Sequence, residues 1–130
     1  MKVLVDTCVW SHALRHKNPD LELIQKLSDL IEDGRAVLIG PIKQELLSGI
    51  AHQKQFDKLK DILSAFELIP LQNFHFEQAA TFCNQCRTNG IQGSSVDFLI
   101  CAVAHCENIS ILTVDNDFKH YSTQIAIDLI

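Results

Sequence analysis

The sequence predicts an α/β fold: a three-layer sandwich with a central parallel sheet of five strands. Short apolar runs alternate along the chain with longer stretches whose apolar residues recur at helical spacing. Strands separated by helices pair in parallel, and right-handed crossovers then cover both faces of the sheet. At 130 residues, 47% hydrophobic, with five Gly and three Pro, the chain reads as one domain, residues 1–130, long enough to bury a real core.

The elements follow in order. Residues 2–5 (KVLV) read as a buried strand. Asn18-Pro19 opens a helix with Pro at its first position, and Leu21, Ile24, Leu27, Leu30 and Ile31 form its apolar face before Gly34 stops it. Residues 36–39 (AVLI) are the second strand. Gly40-Pro41 starts the helix holding IKQELLSGI, and Phe56, Leu59, Ile62, Leu63 and Phe66 line one face of the next. ELIPL, 67–71, is a short strand, and a helix runs from about 75 to 87, ending at Asn89-Gly90. Ser94 or Ser95 caps a helix through FLICAVAHC. SILTV, 110–114, is a strand, and IAIDLI, 125–130, is the fifth, at an edge.

Net charge is −5, with a pI near 5.6. That excludes a protein gripping nucleic acid by bulk charge alone, because phosphate binding leaves a basic footprint. It leaves room for one that meets phosphate through a metal ion. No apolar run reaches the ~18 residues of a membrane span, and MKVLV is cut too early by Asp6 for a signal peptide. Five cysteines, an odd number, fit reduced thiols. A cytoplasmic location and no membrane partner are the expectation.

In an open parallel sheet, chemistry collects beyond the carboxyl ends of the strands where strand order reverses. Asp6 follows the first strand. Asp115 follows SILTV, and Asp117 comes two residues later. Asp97 lies in the first turn of the helix leading into that strand, and Glu45 lies one turn into the helix after AVLI. Each has an ordinary reading: Asp97 as a helix N-terminal acid, Glu45 as a solvated helix residue, Asp115-Asn116-Asp117 as turn chemistry. Thr7 already serves as the cap of a turn after the first strand, so Asp6 needs another reason. The weight lies in the set, because each acid falls at the same end of the sheet.

Clustered carboxylates repel one another unless a cation neutralises them. Hard oxygen donors describe Mg²⁺ or Mn²⁺, a metal suited to in-line attack on a phosphodiester. Arg15, Lys17, Lys43 and Lys119 are candidate basic helpers beside ordinary surface roles.

These residues resemble the PIN-domain nucleases, and among them the VapC-type toxin ribonucleases. LVDTCVW, PIKQELLSG, GSSVDFLICAVAH and ILTVDNDF carry the resemblance in order over nearly the whole chain. It implies a PIN-like fold and Asp6, Glu45, Asp97 and Asp115 as an acidic quartet around one or two Mg²⁺ or Mn²⁺ ions. Asp117 is the alternative fourth member. Asp6, Asp97 and Asp115 are the expected metal ligands, flanked by the hydroxyls of Thr7 and Thr113. Cys8 stands where the family often has Asn or Ser. The resemblance also implies an RNA substrate, a cognate antitoxin protein and a homodimer.

Other constellations are weaker. Cys83, Cys86, Cys101 and Cys106 imitate zinc spacing, yet both pairs lie in helical patterns, and residues five apart on a helix point about 140° apart. His12 and His16 lack the intervening acid of an HExxH site. Ser48 and Ser94 lack a His/Asp arrangement. A phospho-receiver domain requires paired acids after the first strand and a Lys after the last, and neither is present. A catalytically silent PIN-like interaction module is the remaining competitor.

Overall fold

The computed structural model describes all 130 residues. Strand β1 (Val3–Val5) runs directly into helix α1 (Thr7–Arg15), followed by α2 (Leu21–Glu32) and β2 (Ala36–Leu38). Helices α3 (Gly40–Leu47) and α4 (Gln53–Leu63) lead to β3 (Glu67–Leu68). Helices α5 (Asn73–Thr88) and α6 (Ser95–Glu107) lead to β4 (Ser110–Leu112), and α7 (Asp117–Tyr121) follows.

The sheet is all parallel, in the order β3-β2-β1-β4. It has four strands, not the five expected. The final segment meets β4 only through a parallel bridge between Ile111 and Leu129. Residues 123–125 spend their N–H groups on turn bonds, to the carbonyls of His120 and Tyr121. Too few extended residues remain beside β4 to make a ladder. The Ser110 hydroxyl on the Asp128 carboxylate secures the tail there instead.

Other boundaries differ for local reasons. Pro19 is not the first helical residue of α2. Asp20 is the cap, its Oδ1 accepting from the N–H groups of Glu22 and Leu23 at 3.0 and 3.3 Å. Strand β3 is shorter than ELIPL: the Ile69 N–H still reaches the Leu38 carbonyl at 2.8 Å, and Pro70, with no N–H, ends the ladder. Helices α1 and α7, of nine and five residues, are too short to show a repeated helical period and are not legible in the sequence. Of the two candidate serines, Ser94 caps α6, its Oγ accepting from the Asp97 N–H at 3.1 Å.

Chain order positions the site. The path steps from β1 to β2 to β3 in one direction, then returns to place β4 on the other side of β1. Helices α1 to α4 touch one another, and α5 packs along α6. Right-handed crossovers set these two groups on opposite faces of the sheet. Helix α6 is consequently apolar all round, with every residue from Phe98 to Ala104 buried. Leu4, Leu38, Ile42, Ile100 and Ile111 are wholly buried in this core, each stabilising the fold by about 1.5–3 kcal/mol relative to exposure. No helix is long and apolar enough to cross a membrane.

Candidate metal centre

The reversal in strand order falls between β1 and β4, and the acids gather beyond the carboxyl ends of those two strands. Asp6 is the hinge. Its N–H bonds the Leu112 carbonyl of β4 at 2.9 Å, so the end of β1 is fixed against its neighbour. Its backbone is extended (φ −68°, ψ 154°), and its Oδ1 accepts from the Thr7 N–H at 2.8 Å, capping α1. The cap is therefore Asp6 and not Thr7: a residue with extended backbone can fold a short carboxylate back onto the first helical N–H. The other oxygen, Oδ2, accepts from the Thr113 hydroxyl at 2.8 Å and from the Cys8 thiol at 3.3 Å. Asp6 is only 6% exposed. Such burial of a carboxylate is tolerable because each oxygen has a donor.

Thr113 joins this buried acid to the next strand's loop. While donating to Asp6 it accepts the Asp115 N–H at 3.0 Å. Asp115 Oδ1 in turn accepts the Asp117 N–H at 2.9 Å, so the DND turn is held by its own first carboxylate. Asp97, one turn into α6, faces the same turn. One oxygen each from Asp97, Asp115 and Asp117 lies within 4.8 Å of the others.

Five acids thus share one end of the sheet, in two tiers. The tight cluster is Asp97, Asp115 and Asp117, so both carboxylates of the DND turn stand beside Asp97. Asp6 lies outside that tight group, tied to it through Thr113. Glu45 lies outside it as well, exposed on α3, with the Thr7 hydroxyl 3.4 Å from its Oε1. Burial pushes the Asp97 carboxyl above its ordinary range; the Tyr121 hydrogen bond opposes this, and the charges of Asp6 and Asp115 add to it. The Glu45 carboxyl is raised likewise, by burial first and then by Asp6 and Asp97 against the Thr7 bond. Mutual repulsion among acids is the arrangement a divalent cation relieves. Three converging carboxylates offer the hard oxygen donors that suit an ion such as Mg²⁺ or Mn²⁺.

Cys8, in place of the expected Asn or Ser, still donates to Asp6 and sits 3.4 Å from Thr113 Oγ1. Burial raises its thiol pKa, with the Asp6 charge adding to the rise against the Thr113 bond, so the proton stays on sulfur. Lys119 lines a cavity of about 440 Å³ with Thr113, Asp115 and Asn116, and is the basic candidate placed beside the acids. Arg15 is occupied at the end of α3, donating to the Leu46 carbonyl at 2.5 Å. Lys17 and Lys43 form no ion pair.

The residues set aside have structural work. His12 Nε2 and His16 Nδ1 accept the Asp20 and Asn18 N–H groups at 2.7 and 3.1 Å, pinning the turn from α1 to α2. Cys86 and Cys101 are buried in the core. Two further residues stand near the acids. Tyr121 donates its hydroxyl to Asp97 Oδ2 at 2.7 Å, and Gly93 lies against the Tyr121 ring. The spacing Asp117-to-Tyr121, one helical turn, was the available signal.

Comparison with solved structures places this architecture among known ones. Over 98% of this chain and 96% of the other it resembles the crystal structure of FitAcB from Neisseria gonorrhoeae, with a TM-score of 0.80 and 22% identity. It resembles VapBC2 from Rickettsia felis bound to a promoter DNA fragment, over 100% of this chain and 98% of that one, at a TM-score of 0.81 and 21% identity. A toxin–antitoxin complex from Klebsiella pneumoniae matches over 90% of each chain, at 0.71 and 18%. Comparison with curated proteins finds no match. The family model described as PIN domain matches residues 3–123, nearly the whole chain, and this protein therefore belongs to the PIN domain family.

Proposed function

We propose that this protein is a divalent-metal-dependent endoribonuclease, the toxin of a toxin–antitoxin pair. The observation that carries the reading is the convergence of Asp97, Asp115 and Asp117 within 4.8 Å at the β1/β4 reversal, in a chain of the PIN domain family. Asp97, Asp115 and Asp117 would hold Mg²⁺ or Mn²⁺, and Asp6 joins them through the Thr113 bond. The bound ion supplies charge neutralisation at the phosphodiester and a more acidic attacking water. Asp6, buried and fully hydrogen-bonded, keeps the β1/β4 rim rigid. Glu45, exposed on α3 with a raised carboxyl, would take a proton from the incoming water. Lys119 stands beside Asp115 to meet substrate phosphate. With net charge −5, affinity for RNA rests on this local charge inversion and not on a basic surface.

The proposed partners are supported by solved structures of similar fold, which include a toxin–antitoxin complex. An apolar cavity of about 340 Å³ between α5 and α6, lined by Phe76, Ala79, Cys83, Val96 and Leu99, supports a protein partner, either the antitoxin or a second copy in a homodimer. The setting is the cytoplasm, where the thiols stay reduced.

The test is cleavage of labelled single-stranded and structured RNA by purified protein with Mg²⁺ or Mn²⁺. Cleavage that stops with chelator and in the Asp97→Asn variant is expected. Full cleavage in chelator overturns the metal reading. RNA left intact with every divalent ion marks the silent interaction module instead.

A further inference from the structure

We propose that Tyr121 is a positioning residue that holds the Asp97 carboxylate in its metal-binding orientation, and that Gly93 is required because only glycine leaves space for the phenol. The inference rests on the metal-centre reading above and deepens it.

Three independent features converge. Tyr121 is wholly buried, its ring fixed between Phe98 and Phe118 at centroid separations of 5.0 and 5.2 Å. A buried phenol needs a partner for its O–H, and the partner is Asp97 Oδ2 at 2.7 Å, a charge-assisted bond. The loop before α6 completes the arrangement. A Cβ built on Gly93 would overlap the Tyr121 hydroxyl oxygen and stand 2.8 Å from Cζ and 2.9 Å from Cε1. Of the five glycines, Gly93 alone would bring a Cβ against any neighbour, so its role is close approach and not an unusual φ.

The consequence is mechanical. Asp97 stands at the start of α6 beside two other acids that repel it. A free carboxylate there would rotate away from its neighbours. The bond from a rigid, buried ring removes that freedom. Outer contacts of this kind typically change metal affinity by about 10–100-fold.

The test measures Mn²⁺ binding alone, without RNA, by calorimetry and by the EPR signal of free Mn²⁺. Tyr121→Phe keeps the ring and its packing and removes only the donor. It is expected to bind Mn²⁺ about 10–100-fold more weakly, with its circular dichroism unchanged. Gly93→Ala displaces the same hydroxyl and is expected to weaken binding similarly. Added to Tyr121→Phe, it should produce no further loss of Mn²⁺ affinity. If Tyr121→Phe lowers the melting temperature yet binds Mn²⁺ as the wild type does, Tyr121 is a packing residue and the proposal falls, while the metal centre stands. If the wild-type protein binds no Mn²⁺, the metal centre falls and takes this proposal with it.

Discussion

Replacing Asp97 by Asn should move stability in opposite directions with and without metal. The side chain keeps its shape, and the Asn carbonyl can still accept the Tyr121 hydroxyl. What disappears is one negative charge beside Asp115 and Asp117. At the cluster's outer limit of 4.8 Å, a like-charge pair costs about 0.9 kcal/mol in a water-like dielectric and about 3.5 kcal/mol at an effective constant of 20. The cluster lies at a solvated rim, so the lower figure applies, and two relieved pairs return about 2 kcal/mol. Changing the Tyr121 bond from charge-assisted to neutral takes back about 1 kcal/mol. The net gain of about 1 kcal/mol agrees in sign with the raised Asp97 carboxyl. In a domain of this size it raises the metal-free melting temperature by about 4 °C. With Mn²⁺ at a hundred times its dissociation constant, the wild type gains about 2.7 kcal/mol. A ligand loss of a hundredfold leaves about 0.4 kcal/mol of that gain. Thermal denaturation of both proteins, with and without Mn²⁺, reads all four values. A metal-free melting temperature that falls in Asp97→Asn, or a Mn²⁺ shift that survives it, refutes the reasoning.

Asp6→Asn should leave the fold intact, since Asn caps α1 nearly as well as Asp, and reduce RNA cleavage by about 10–100-fold, the reach of a contact that acts on the metal-holding acids through Thr113; far-UV dichroism beside a cleavage assay checks both. Thr113→Val strips one of two donors from Asp6 Oδ2, leaving the Cys8 thiol, and the acceptor from the Asp115 N–H, costing about 1–3 kcal/mol in urea denaturation. The raised carboxyls of Asp97 and Glu45 set a pH dependence for the metal-free protein. As pH rises above about 4, the unfolded chain releases these protons first, so their contribution to stability falls until the folded groups also ionise. The wild type should therefore lose stability toward neutral pH relative to a Glu45→Gln/Asp97→Asn variant, and a pH-independent gap between the two urea midpoints would count against it.

The alternation of apolar runs with helical periods was enough to locate the sheet's parallel strands and most of the long helices, because burial of a strand or of a helix face writes itself into local spacing. The same logic placed Asp6, Glu45, Asp97, Asp115 and Asp117 at one end of the sheet. Local spacing failed where a tertiary neighbour decides. The fifth strand shrank to one bridge because the Ile125 and Ile127 N–H groups turn back on the carbonyls of Tyr121 and Ile125, leaving Asp128 and Ile130 to bond Ile111. Asp6 became the cap of α1 and the partner of Thr113, 107 residues away, a pairing no window on the chain contains. Which acids form the tight group, and that Tyr121 reaches Asp97 over Gly93, depended on the order of strands and the packing of α7 on α6. Residue chemistry and spacing are properties of the chain; distances between remote carboxylates are properties of the packed core that brings them together.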